Sequence, residues 1–220
     1  SWKADVIIDK SYPENSHIDN YRDFALYFQD EDNILGTSFM PYLQNVAGLT
    51  GVNYRLEPWS YREDEGCELG NMFTACVAAD SDPATPTIKA HAGDNVMINV
   101  FGAHNEQNQM FNVDGHQWRR HLNQENSDMI DVEEFGGGEY IQAFMNAGGT
   151  YKNPGTYLWL NARTPYQQAG QWGYMKVLPS GDRSILPLGK ATVKGVKTAS
   201  QPQEGGKSAS KVGDDKLSMR

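Results

Sequence analysis

Five histidines, two cysteines and several runs of carboxylates are the side chains that could do chemistry in this chain of 220 residues. Three of the histidines, His104, His116 and His121, lie close in sequence. With Asp114 between them they suggest a metal set, His104–Asp114–His116, because imidazole and carboxylate both ligate divalent ions. The plainer reading makes His116 a hydrogen-bonded, half-buried histidine beside Trp118 and leaves the others solvated. Cys67 and Cys76 stand nine positions apart with no second pair, which is not a zinc-ligand spacing. A disulfide closing a small loop would place the protein outside the reducing cytosol, and two buried thiols are the alternative. Asp30-Glu31-Asp32, Glu63-Asp64-Glu65 and Asp131–Glu134 could collect calcium, yet none has the EF-hand order and each also reads as a solvated acidic loop. No G-x-S-x-G nucleophile turn occurs, and Gly136-Gly137-Gly138-Glu139 lacks the Lys-Ser/Thr that a phosphate-binding loop requires.

Charge narrows the classes further. Residues 1–180 hold 11 basic and 24 acidic side chains, whereas residues 181–220 hold 8 basic and 4 acidic ones. A formal charge of −9 overall argues against a nucleic-acid partner, whose phosphates are met mainly by clustered Lys and Arg. No apolar run approaches the ~20 residues of a bilayer-spanning helix, so no membrane span is expected. The first residues show no basic-apolar-small leader, so a signal peptide is expected to be already removed or never present. After Leu188 the chain is rich in Gly, Ser and Lys and has no aromatic residue, which is the composition of an extended arm.

The elements that must position these groups read as strands. In the segment from Tyr21, Phe24, Leu26 and Phe28 alternate with Ala25, Tyr27 and Gln29, the period of a half-buried strand. Residues 51–58, 85–102, 109–118, 140–146, 155–162 and 171–179 supply further short strands, with Ala92-Gly93-Asp94 as a turn. No helical period persists and no internal repeat is visible. An all-β sandwich or barrel follows. The expected organisation is a polar lead-in (1–20), a compact domain (21–180) with an insertion loop (60–84), and a C-terminal arm (181–220).

The order of TPTIKAHAGDNVMINVFG, FNVDGHQW and PGTYLWLNARTPYQQAGQWGYMKV resembles the cupredoxin domain of multicopper oxidases over residues 21–179. The resemblance implies a Greek-key cupredoxin-like β-sandwich and an extracytoplasmic protein: periplasmic, cell-surface or secreted. It also implies where copper ligands would stand, and this sequence departs there. A type 1 copper site takes two imidazoles, a thiolate and often a weak axial thioether. Asn161 stands where the family has its Cys, and Gln171 stands where it has the axial Met. The first imidazole is lost within the Gln/Asn-rich run Asn105–Asn112. The paired H-x-H of the family's coupled copper cluster falls on Asn112-Val113-Asp114, leaving His116 as the one retained family histidine.

The resemblance and these departures together imply a non-catalytic, copper-depleted subunit or processed fragment with an assembly role in a multicopper-oxidase-like complex. No cofactor is expected, and copper only as a shared or vestigial site. Two alternatives follow: an oxidase-type subunit lending His104, Asp114 and His116 as a metal half-site at an interface, and a secreted binding module. The expected partners are other subunits or identical copies, engaged through the basic arm at 181–220.

Overall fold

The computed structural model describes residues 1–30, 50–73, 81–105 and 107–189. Two five-stranded sheets face each other. The first contains β1 (Lys3–Val6), β2 (Tyr21–Asp30), β3 (Thr50–Val52), β5 (Asn95–Asn105) and β10 (Tyr140–Asn146), in the order β1-β2-β5-β10 with β3 also on β2. The second runs β4 (Ile88–His91), β12 (Trp172–Leu178), β11 (Gly155–Asn161), β6 (Gln109–Val113), β9 (Val132–Phe135). A small hairpin, β7 (Trp118–Arg119) and β8 (Met129–Ile130), lies outside both. β2–β5 and β4–β12 are parallel and the other pairs antiparallel. This is the all-β, Greek-key cupredoxin-like sandwich that the sequence leads one to expect.

Alternation builds the core. Along β2 each even-numbered residue from Arg22 to Asp30 is buried, and Val96, Ile98 and Val100 answer from β5. Phe28 sits at the centre, edge-on to Phe111, Phe135 and Trp159 of the facing sheet. The Trp159 ring packs against Gly173 on the neighbouring strand, where a Cβ would stand 2.4 Å from a ring carbon, so no larger residue fits. Its indole N–H donates to the Pro86 carbonyl at 3.0 Å. A large aromatic is thereby both packed and hydrogen-bonded, as a buried Trp requires.

The structure adds detail to three of the expected segments. Residues 1–20 are more than a lead-in, because Lys3–Val6 pairs along Tyr21–Phe24 as an edge strand of the first sheet. The 60–84 insertion begins with a short helix, α1 (Trp59–Asp64), anchored by buried Arg62, which donates to Glu57 at 2.6 Å and to the Tyr174 hydroxyl at 3.1 Å. The arm does not begin free at 181: Arg22 donates to the Leu186 carbonyl at 2.7 Å, and a ring nitrogen of His91 lies 2.9 Å from the Asp182 carbonyl. Arg22 also pairs with Asp5 and Asp94, so one buried guanidinium ties both β1 and the segment at Leu186 to the sandwich. Residues 190–220, which carry most of the expected arm, lie outside the described residues. Among the described residues no helix is long and apolar enough to cross a membrane.

Candidate functional site

At one end of the sandwich, β11 closes on Asn161, the chain turns through α2 (Thr164–Gln168), and Gln171 leads into β12. Both side chains are fully buried, and they touch: Asn161 Nδ2 donates to Gln171 Oε1 at 2.6 Å. The second hydrogen of that amide goes to Oε1 of Gln109, the first residue of β6. Asn161 Oδ1 accepts from the backbone N–H groups of Arg163 at 3.0 Å and Met110 at 3.3 Å. Two donors and two acceptors are all that an asparagine amide has, so its capacity is filled.

The network continues outward. Gln109 Nε2 donates to the buried Asp30 carboxylate and, at 3.1 Å, to the Gln107 carbonyl. Gln171 Nε2 donates to the Gln29 carbonyl at 2.8 Å. Arg163 covers the cluster, bonding the Asn108 carbonyl and Gln107 Oε1 while its guanidinium lies 4.9 Å from the centre of the buried Tyr166 ring. The two positions that the resemblance assigns to a copper thiolate and thioether, together with a residue of the run assigned to an imidazole, thus form a closed cluster of carboxamides.

These residues do not fit a type 1 copper ion. Carboxamides offer no soft sulfur donor, and here their oxygens are engaged by N–H groups. Satisfied in this way, buried polar groups fix geometry, whereas the same groups left half-paired would cost about 1–3 kcal/mol each.

His116 lies at the opposite end of β6, in the turn after Val113. Its ring is buried and engaged at both nitrogens: Nδ1 is 2.8 Å from the Asp114 carbonyl, and Nε2 accepts from the Gly148 N–H at 3.0 Å. The two contacts fit one neutral tautomer, with the proton on Nδ1. Burial pushes the imidazole below its ordinary pKa, against the smaller opposing pull of the Asp114 carbonyl and carboxylate. Burial also raises the Asp114 carboxyl, and His116 counteracts it. Gly148 must be glycine, since φ is +85° and a Cβ would stand 2.5 Å from the Asn153 nitrogen. His116 therefore pins the turn after β6 to the turn after β10.

Of the set His104–Asp114–His116, the last two are neighbours along the rim of a polar cavity of about 560 Å³ that Asp131 and Asn146 also line. The His104 backbone pairs with Gln29, at the amide-cluster end of β6 rather than the His116 end. Nothing is described of its side chain. Among the described residues, no group of three or more His, Cys, Asp or Glu side chains is placed to hold a metal ion. Cys67 is buried, and no free thiol occurs among the described residues; Cys76 lies outside them.

Three acids of the runs Asp30-Glu31-Asp32 and Asp131–Glu134 have structural employment. Asp30 receives Gln109, Glu133 accepts from the Trp118 indole at 3.2 Å, and Glu134 accepts from Asn108 at 2.7 Å. Glu139 closes the glycine turn by accepting from the Gly136 N–H at 2.7 Å. Glu31 and Asp32 lie outside the described residues. Sequence reading took Asp30 only as part of an acidic run, because an acid ending a strand carries no signal of a partner 79 residues on.

No family model matches this chain, and no curated protein matches it in sequence. Solved structures do share its outline at low identity. A multicopper oxidase from Pediococcus acidilactici matches at 8% identity over 76% of this chain and 28% of its own, with a TM-score of 0.46. One from the hyperthermophile Aquifex aeolicus matches at 11% identity over 71% and 29%, with a TM-score of 0.45. A metallo-oxidase of the same description from Campylobacter jejuni matches at 12% identity over 71% and 30%, with a TM-score of 0.44. The chain spans less than half the length of these structures.

Proposed function

We propose that this chain is a non-catalytic, copper-depleted cupredoxin-like unit with a structural role in a multicopper-oxidase-like extracytoplasmic assembly. The observation that carries the proposal is the Gln109–Asn161–Gln171 cluster. Three buried amides are bonded to one another and to Asp30, and two of them, Asn161 and Gln171, stand where the resemblance puts copper ligands. Replacing soft ligands by a satisfied polar cluster keeps that end of the sandwich ordered without a metal. An extracytoplasmic setting goes with a Cys67–Cys76 disulfide, which we include in the proposal. The intact protein should accordingly lose two mass units on oxidation of the reduced chain, one for each thiol hydrogen. The partners are other subunits or identical copies, met through the arm at 181–220.

Charge supports this choice of arm: residues 181–220 carry 8 basic and 4 acidic residues, and the body is strongly acidic. Single exposed ion pairs give only ~0–1 kcal/mol, so many contacts would have to act together. Native mass spectrometry of the chain from its source, with metal analysis on the same sample, tests the reading. We expect a complex in which this chain holds no copper of its own, and a folded but dissociated domain on truncation after Leu188. A lone chain with one bound copper, or normal assembly of the truncated protein, would contradict it.

A further inference from the structure

The outer face of the first sheet carries a second candidate site, independent of the assembly reading. Where strands pair in register, Tyr27, Phe101 and Tyr140 stand side by side across β2, β5 and β10. Their rings stack, with centroids 4.7 Å apart at 12° for the first pair and 5.9 Å apart at 22° for the second. Tyr27 is 42% exposed and Tyr140 60% exposed, so both end rings of the stack reach solvent.

The next row along the sheet is polar and already fixed. Asn99 Nδ2 donates to Asp23 Oδ1 at 2.6 Å, and Gln142 Nε2 donates to Asn99 Oδ1 at 3.0 Å. Ala25, opposite Asn99 on β2, leaves this row low between its neighbours. Beyond it, Tyr21 meets Phe144 edge-on. Loop residues Leu122 and Asn123 line two cavities beside this face, one of about 470 Å³ with Tyr140 and Gln142 and one of about 510 Å³ with Tyr21 and Phe144.

We infer that this face binds a neutral polysaccharide. Sugar rings present an apolar C–H face, which packs on exposed tyrosine rings, and a rim of hydroxyls, which needs fixed donors and acceptors. The aromatic row supplies the first, and the hydrogen-bonded chain Asp23–Asn99–Gln142 the second. A polar row held by its own hydrogen bonds loses little freedom on binding.

Charge and area select this occupant over others. Among the outward side chains of Tyr21–Tyr27, Asn95–Phe101 and Tyr140–Asn146, Asp23 alone is charged, so the strands themselves offer no cation to phosphate or an anionic lipid surface; Arg120, on the rim of the 470 Å³ cavity, is a single cation beside them. Three strands ~4.8 Å apart and seven residues at ~3.4 Å give roughly 340 Å². A stable protein interface needs about 800 Å² from each partner.

Native gels cast with soluble neutral polysaccharides (a β-glucan, a xylan and a galactomannan) test the inference on the full chain. At least one should retard the protein. Tyr27→Ala with Tyr140→Ala should weaken that retardation tenfold or more, Tyr140→Phe should largely preserve it, and Tyr151→Ala, on the β10–β11 turn, should leave it unchanged. Both replaced tyrosines are exposed, so thermal melting of the double variant should match the parent and separates lost binding from lost folding. Migration unaffected by all three polysaccharides would overturn the inference. So would retardation that survives the double replacement, or a self-association that the double replacement abolishes while no gel retards the parent.

Discussion

At the scale of single residues, Asn161 and His116 do opposite kinds of work at the two ends of β6. Asn161 joins four elements through one amide, so its removal orphans several groups at once. Asn161→Ala leaves the Gln109 and Gln171 oxygens and the Arg163 and Met110 N–H groups short of a partner. The expected cost is about 2–4 kcal/mol, read as a lowered urea midpoint with an unchanged slope. His116 gives a pH signature instead. Its folded pKa is depressed below the ordinary 6.5, so the unfolded chain binds the proton more readily. Stability from this residue is complete above pH 6.5 and declines as pH falls below it. His116→Gln should flatten that decline, measured by urea melts between pH 7 and about pH 5. Asp114 contributes with the opposite sign and nearer the carboxylate range, because its folded pKa is raised. An identical slope in parent and variant would remove His116 from the account.

Among the elements, what could be read beforehand depended on whether a hydrophobic period was present. Phe24, Leu26 and Phe28 alternate, and β2 is a strand with those three buried. Lys3–Val6 shows no such period because almost none of it is buried; backbone pairing and the Arg22–Asp5 ion pair hold it. The six residues of α1 were equally silent, since a buried arginine rather than an apolar stripe anchors them. The run 109–118 reads as one strand but breaks after Val113, where Gly115 at φ 70° turns the chain so that Trp118 enters the core from a separate hairpin. At the amide cluster, Asn161 and Gln171 were legible as missing copper ligands. Gln109 and Asp30 were not, because only the pairing of β6 and β2 into facing sheets brings them there. The β11–β12 contact makes its own prediction. Gly173→Ala places a methyl group against Trp159 and should cost about 3 kcal/mol, with loss of near-UV circular dichroism from the displaced indole.

For the molecule as a whole, the two ends of the sandwich have been finished differently from its faces. One end is sealed by amides around Asn161, the other by His116 and the glycine turn it grips, and Arg22 holds both Asp5 of β1 and the segment at Leu186. None of these devices needs a metal to hold the sheets together, since each is closed by protein hydrogen bonds. That is the property the proposed structural role requires. The most direct measurement is titration of the purified full chain with Cu(II) and with Cu(I), followed by removal of excess metal. Bound copper is then counted, and absorption and electron paramagnetic resonance spectra are recorded on the same samples. The account predicts well under one copper per chain, no intense thiolate-to-copper band and an unchanged melting temperature. One tightly held copper per chain with that band, or a melting temperature raised by copper, would contradict it.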